Sequence, residues 1–278
     1  MKSPGENRVA IFQTPGGTLI PVTHSRSIVR AFLDLWGVLL DSDKMQVGYG
    51  QQLAQRMATR FGGDEGRWLE AHTSAWTEYV KEVESTDWSQ GSWSAAMDRL
   101  DARFAVGLLE RVGIAWRPAD PVAFSRELDL EVMATVDARF PDAHTAVERL
   151  RGAGHKVYVA TQATDANARG ALAGAHLLTS IDGLFTGTSQ DAPKARREYW
   201  DRILSSVGAS PGSDVLVDDR VDYLEAAAAS GFGVLLLDRD GIYEPETTPS
   251  FVRATLRNLA GLPHFVDTLE AERTHTST

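Results

Sequence analysis

From residue 141 onward, short apolar runs alternate with single helix-like segments, and that alternation admits few folds. Residues 141–154 read as a helix ended by Gly154, and 156–161 (KVYVAT) as a buried strand. Residues 167–175 read as a helix, 181–187 (IDGLFTG) as a short strand-like piece, and 195–207 as a helix. Residues 214–217 (DVLV) form a strand, 221–230 an alanine-rich helix ending at Gly231, and 233–237 a further strand. Strands separated by single helices imply a parallel sheet with right-handed crossovers, hence a Rossmann-like α/β core. One earlier run has the same character: 28–33 is apolar and ends on Asp34, just before a turn at Trp36-Gly37. The carboxyl ends of strands in an open α/β sheet face one crevice, where such folds bind their ligands. A carboxylate there can serve as a nucleophile or a metal ligand.

Between these two stretches the texture changes. Residues 45–61, 65–84, 92–112 and 121–138 carry apolar side chains at three- and four-residue spacings, the amphipathic helix pattern. Gly62-Gly63-Asp64, Ser85-Thr86-Asp87 and Arg117-Pro118-Ala119-Asp120 punctuate them and offer N-cap acids and hydroxyls. The expected organisation is an α/β core in 28–42 and 140–270, with an α-helical block inserted over 43–139. Residues 1–27 form an extension, read as a hairpin or an arm: 8–13 and 18–22 are β-prone around Thr14-Pro15-Gly16-Gly17. The tail, 251–269, is expected to hold one more amphipathic helix.

Composition narrows the function. The chain has 278 residues and a formal net charge of −10, which argues against nucleic acid or an anionic membrane as a partner. The absence of cysteine excludes disulfides, thiolate metal sites and cysteine nucleophiles. No apolar run approaches the roughly 18 residues of a membrane span, and the polar start MKSPGENR does not resemble a signal peptide. The expectation is a cytoplasmic protein acting on a small molecule. His24, His72, His144 and His155 show no metal-ligand spacing, and the cap-block aromatics Trp68, Trp76, Tyr79, Trp88 and Trp93 read mostly as core.

Candidate residues fall at equivalent places. Asp34 follows the first strand, Thr161 closes KVYVAT, Lys194 opens the helix over 195–207, and Asp218-Asp219 follow DVLV. This order, with a helical block after the first position, resembles the haloacid dehalogenase (HAD) superfamily, and more narrowly its members with a helical cap between the first and second motifs. Asp182-Gly183-Leu184-Phe185-Thr186-Gly187 leading to Lys194 is similar to the run into the third motif. Val217-Asp218-Asp219-Arg220 with Glu225-Ala226-Ala227 and Gly231 is similar to the fourth. The resemblance covers about 28–240. It implies Asp34 as nucleophile, Thr161 as a hydroxyl on the transferring group, and Lys194 as a counter-charge for Asp34 and substrate. It implies Mg²⁺ held by Asp34, Asp218, Asp219 and the Trp36 carbonyl, with Trp36 and Gln162 against the substrate.

The chain departs from that pattern in two places. Phosphatases of the family carry a second aspartate two residues after the nucleophile, which protonates the leaving group, a role worth roughly 10²–10⁴-fold. Here that position is Trp36, whose indole N–H is a donor but no usable acid. The leaving group is then a good one or supplies its own acid, or the reaction is not phosphomonoester hydrolysis, or the enzyme is impaired. An aromatic at this position is similar to the dehalogenase branch, where no metal is needed, although Asp218-Asp219 is unlike that branch's fourth motif. Second, Tyr223 stands four residues after Asp219, where Asp or Asn is usual. The leading expectation is Mg²⁺-dependent phosphoryl hydrolysis; the alternatives are a metal-independent dehalogenase-like hydrolase or a binding protein on an impaired core.

Overall fold

A computed structural model describes residues 10–13, 19–22, 28–89, 91–208 and 214–276. β1 (Ala10–Gln13) and β2 (Leu19–Val22) pair antiparallel in a two-stranded sheet; the rest of 1–27, with the Pro15-Gly16-Gly17 turn, lies outside the described residues. The main sheet comprises β3 (Arg30–Leu33), β4 (Lys156–Thr161), β5 (Gly183–Thr186), β6 (Asp214–Asp218), β7 (Gly233–Leu237) and β8 (Val252–Leu256). All pairings are parallel, in the order β5-β4-β3-β6-β7-β8. The chain runs outward from β3 through β4 and β5, then returns to the other side of β3 for β6. β3 is therefore the point where strand order reverses, the position at which open α/β sheets form their crevice.

Period-two alternation divides the strands between two faces. Ala31, Leu33, Val157, Val159, Val215, Val217, Leu235 and Leu237 face one core, while Phe32, Ala160, Leu216, Val234 and Leu236 face another. The first face is covered by α5 (Ala143–Gly152), α6 (Asp165–Gly174) and α10 (Leu262–Thr276). The second is covered by α8 (Arg197–Val207) and α9 (Val221–Ala229), through Tyr199, Trp200, Ile203 and Leu224. A single-turn helix, α7 (Gly187–Gln190), follows β5. Among the described residues no helix is long and apolar enough to cross a membrane.

Four helices stand between β3 and α5: α1 (Ser42–Phe61), α2 (Glu65–Ser85), α3 (Trp93–Val112) and α4 (Pro121–Met133). Their starts are capped as the punctuation implied. Asp41, Asp64, Ser92 and Asp120 each accept from a backbone N–H of the first turn, and Pro121 opens α4. α4 stops at Met133, short of the expected 138. The backbone instead extends to run beside the segment entering α1, with Asp41 N donating to Ala138 O (2.8 Å) and Phe140 N to Leu39 O (3.0 Å). Way in and way out are thus tied together.

The tail also differs from expectation. Residues 252–256 are not helical: Val252, Ala254 and Leu256 turn inward and Arg253 and Thr255 outward, the alternation of an edge strand, and the helix begins at Leu262. The wider apolar spacing of 251–269 masked a five-residue period-two segment at its start.

The helical block is fastened to the core by close approach of α4 to α6. A Cβ on Gly174 would lie 2.5 Å from both Met133 O and Val136 O, and one on Gly170 would lie 2.7 Å from Met133 Cβ. Gly174→Ala is expected to cost about 1–3 kcal/mol through overpacking, despite the better helix propensity of alanine. Gly152→Ala in α5 meets nothing within 4 Å and is expected to be neutral or stabilising. Urea melts of the two variants check this; equal effects would contradict the packing account.

Candidate active site

The four sequence candidates come from four separate segments at the carboxyl edge of the sheet. β3 delivers Asp34, whose backbone N–H donates to Val217 O (3.0 Å) and so fixes it beside β6. β4 ends on Thr161, fully buried, and β6 ends on Asp218, also fully buried, with Asp219 next. Lys194 does not open a helix: α8 begins at Arg197, and the lysine sits in the preceding turn. That turn is pinned from three sides. Gln162 Oε1 accepts from Lys194 N (2.5 Å), Trp200 Nε1 donates to Lys194 O (2.9 Å), and Pro193 precedes it.

The result is an ammonium with no solvent exposure between two carboxylates. Lys194 Nζ lies 2.6 Å from Asp34 Oδ1 and 2.5 Å from Asp218 Oδ2. Burial pushes the ammonium pKa down, but Asp218 and Asp34 outweigh that and hold it above its ordinary value. Asp218 uses its other oxygen to accept from Arg220 N (2.9 Å), a turn contact rather than a cap on α9. Ligand oxygens of Asp34, Asp218 and Asp219 all lie within 4.8 Å of one another, and the ammonium of Lys194 pairs with the first two. Desolvation, eased by Lys194 and reinforced by Asp218, raises the Asp34 pKa to about 7. Desolvation and then Asp218 raise that of Asp219 to about 6. A buried oxygen cluster short of positive charge is the donor set that suits a hard divalent cation.

Gly37 makes room for this cluster. Its φ is +75°, and a Cβ there would fall 2.1 Å from Asp219 Oδ2. Only glycine satisfies both the left-handed backbone and the approach of the carboxylate. The same loop is held from behind by a group the sequence did not reveal. Arg239, just past β7, donates to Val38 O (2.7 Å) and Gly37 O (3.2 Å) and pairs with both oxygens of Asp142 (3.1 Å each). Tyr199 plays a similar part from α8, its hydroxyl donating to Thr161 O (3.1 Å) and Phe185 O (2.9 Å). Arg239 lies near no motif, and Tyr199 follows Lys194 by five residues with no pattern of its own; only their places in the fold identify them.

A cavity of about 660 Å³ lies between these loops and the helical block. Each strand-end segment contributes a neighbour of its candidate residue: Trp36, Gln162 and Ala163, Pro193 and Ala195, then Arg220 and Tyr223. Trp36 is thus both a cavity wall and a residue packed on the core, and Gln162 both faces the cavity and holds the lysine turn. Tyr223 takes no metal-shell position of the usual acidic kind. Its ring lies 5.0 Å from Lys194 Nζ and 4.3 Å from the Arg220 guanidinium carbon, and burial pushes its hydroxyl up to about 12. Of the aromatics read as core, Trp68 is fully buried, whereas Trp76, Tyr79, Trp88 and Trp93 line the cavity.

The fold is a Rossmann-like parallel α/β sheet with a cluster of acids and one lysine at its carboxyl edge. The chain belongs to the haloacid dehalogenase-like hydrolases, whose family model matches residues 29–231. Phosphatase MT3486 of Mycobacterium tuberculosis is 32% identical over 103 residues, which are 37% of this chain and 48% of that relative, so the match spans about half the relative's length. A HAD phosphatase from Thermococcus onnurineus superposes with a TM-score of 0.57 at 16% identity, covering 86% of this chain and 98% of that one. An L-2-haloacid dehalogenase from Xanthobacter autotrophicus with chloropropionic acid covalently bound gives 0.51 at 16% identity, covering 86% and 98%. At these identities the structures share the fold with this chain, and they include both chemistries.

Two acids inside the helical block carry a pH signature. Desolvation raises Asp101 to about 7 and Asp129 to about 6. A carboxyl with a folded pKa above its unfolded value binds protons more tightly when folded, so it costs stability at high pH and releases that cost as pH falls. The window runs from about 7 down to about 4. Asp129→Asn is therefore expected to gain in Tm over the native protein at pH 8, with the gain shrinking by pH 5. Thermal melts across that range decide it, and a pH-independent difference would contradict the burial argument.

Proposed function

We propose that the protein is a Mg²⁺-dependent phosphoryl hydrolase working through a covalent aspartyl intermediate on Asp34, with the helical block acting as a cap over the substrate. The single observation that carries this reading is the clustering of Asp34, Asp218 and Asp219 oxygens within 4.8 Å at the edge of the sheet. A carbon–halogen hydrolase needs one nucleophilic carboxylate; a second buried acid, Asp218, and a half-buried third, Asp219, beside it make sense with a cation. Asp34, Asp218, Asp219 and the Trp36 carbonyl would hold the ion, whose contribution when bound is to let an anionic nucleophile approach an anionic phosphoryl group. The Mycobacterium relative being a phosphatase points the same way.

The residues then have separable tasks. An Asp34 carboxylate oxygen attacks phosphorus, forming a P–O bond as the bond to the leaving oxygen breaks and takes its electron pair with it. Water attacks phosphorus in the second step, the P–O bond to Asp34 breaks, and inorganic phosphate leaves. Lys194 offsets part of the burial that disfavours ionised Asp34 and orients the carboxylate, and the Thr161 hydroxyl meets a phosphoryl oxygen. Trp36 gives shape to the cavity but no proton, so the leaving oxygen departs as an anion. The cap excludes water from the first step.

Two outcomes are expected from a panel of phosphate esters. Turnover is abolished by EDTA and restored by Mg²⁺, and Asp34→Asn abolishes it. Rates fall steeply as leaving-group pKa rises, so acyl and aryl phosphates outrun alkyl ones by roughly the 10²–10⁴-fold that a general acid would otherwise supply. Equal rates across leaving groups would overturn the role given to Trp36. Trp36 itself favours one other reading, a metal-independent dehalogenase. Halide release from 2-haloacids that EDTA leaves undisturbed would establish that reading in place of the first.

A further inference from the structure

The cavity above Asp34 has a far end whose chemistry the hydrolytic reaction does not use. Its walls there are His72, Trp76, Tyr79 and Phe104, with Trp88 and Trp93 alongside. Trp76 stacks on Tyr79 (centroids 5.4 Å apart) and on His72 (6.4 Å), and Phe104 meets Trp76 and Tyr79 edge-on (6.3 and 5.6 Å). Two carboxylates interrupt this aromatic lining. Asp101 of α3 accepts from Tyr79 Oη (2.7 Å) and Asp129 of α4 from Tyr49 Oη (2.6 Å). Each keeps further lone pairs for a ligand.

No cation among the described lining residues answers them. The charged groups on the wall are Asp101, Asp129, Arg220 and Asp222. Arg220 is on the rim beside Tyr223 and is already joined to Asp222 through two nitrogens (3.0 and 2.7 Å). Burial lowers the His72 pKa and keeps its ring neutral at physiological pH. Arg126, the nearest guanidinium on α4, is engaged by Asp98 at 2.6 Å. Aromatic faces attract cations through their quadrupoles, and a carboxylate without a counter-ion in such a setting selects for one.

We propose that the substrate carries, on an apolar or aromatic body, a protonated or quaternary nitrogen that sits between Asp101, Asp129 and the Trp76–Tyr79–Phe104 wall. This rests on the phosphoryl-transfer reading and deepens it. The anionic end of the substrate lies at the Trp36–Arg220 end of the cavity, over Asp34, and the cationic end faces Asp101 and Asp129, so charge orients the molecule along the cavity before reaction. A neutral body fills the apolar stretch between them, and an acidic tail is repelled.

Aryl phosphates with matched tails test this on the full chain with Mg²⁺. Tyramine phosphate is compared with 4-propylphenyl phosphate, which replaces the ammonium by a methyl group, and with the 2-carboxyethyl analogue. The ammonium ester is expected to be preferred over the propyl ester by roughly 10–100-fold in kcat/KM, the scale of a charge-assisted hydrogen bond. The acid should be the poorest, and Asp101→Asn and Asp129→Asn should move the ammonium-to-propyl ratio toward one. Phosphatase activity with no preference between the two esters would overturn the ammonium site and leave the hydrolytic reading standing. If no aryl phosphate turns over, the hydrolytic reading fails, and calorimetry with tyramine and 4-propylphenol decides the site separately. Tighter binding of tyramine to the native chain supports it, and no binding of tyramine overturns it.

Discussion

The site turns on one buried ammonium. Lys194 Nζ bridges Asp34 and Asp218 with no access to solvent, so each group is tolerable only because the others are there. Removing one partner of such a pair typically costs about 3–5 kcal/mol, because a charge is left buried without an answer. That mutual dependence explains the amount of scaffolding around it. The lysine turn is fixed by Gln162 and Trp200, the Asp34 loop by Arg239 and Asp142, and the Thr161 strand end by Tyr199. A site held from so many sides is of the preorganised kind that electrostatic catalysis requires.

Much of this was legible in the sequence, for identifiable reasons. KVYVAT and GVLLL are short, apolar and bounded by glycines or polar residues, so their ends fall where the runs stop. Asp34, Thr161 and Asp218 followed from those ends, since a parallel sheet gathers its carboxyl termini without further assumption. Lys194 belonged to the set by resemblance alone. Its place in a turn held by Gln162 is a tertiary fact, and the Ala192-Pro193-Lys194 run mimicked a helix start. β8 was missed because Val252, Leu256 and Leu259 also fit the four- and three-residue spacing of the amphipathic helix expected there. Arg239 and Asp142 lie 97 residues apart and match no local pattern, so nothing short of the fold pairs them.

The helical block shows a second limit of pattern reading. Trp76, Tyr79, Trp88 and Trp93 have helical spacing, which a packed core and a cavity wall produce alike. The difference lies in what α1, α3 and α4 place opposite them. Asp101 and Asp129 fall at the spacing of their helices' buried faces, Asp101 four residues from Met97 and from Ala105 and Asp129 four from Ser125 and from Met133, and find tyrosine hydroxyls there. The block also contacts the core at two places, Gly170 and Gly174 against α4, and Trp93 against Gly187. At the second place Asp191, just past α7, also accepts from Ser92 Oγ (2.8 Å) and Ser94 N (2.9 Å).

The central claim is that Asp34 becomes covalently phosphorylated while Lys194, Asp218 and Asp219 surround it. Acid quenching during turnover of acetyl phosphate, followed by mass spectrometry of the peptide containing Asp34, tests that claim most directly. The account expects this peptide to be heavier by one phosphoryl group, on Asp34 itself, and the adduct to be absent from Asp34→Asn. Turnover carried out in H₂¹⁸O that instead places the label in the Asp34 carboxylate would show an ester intermediate opened at carbon and would contradict it.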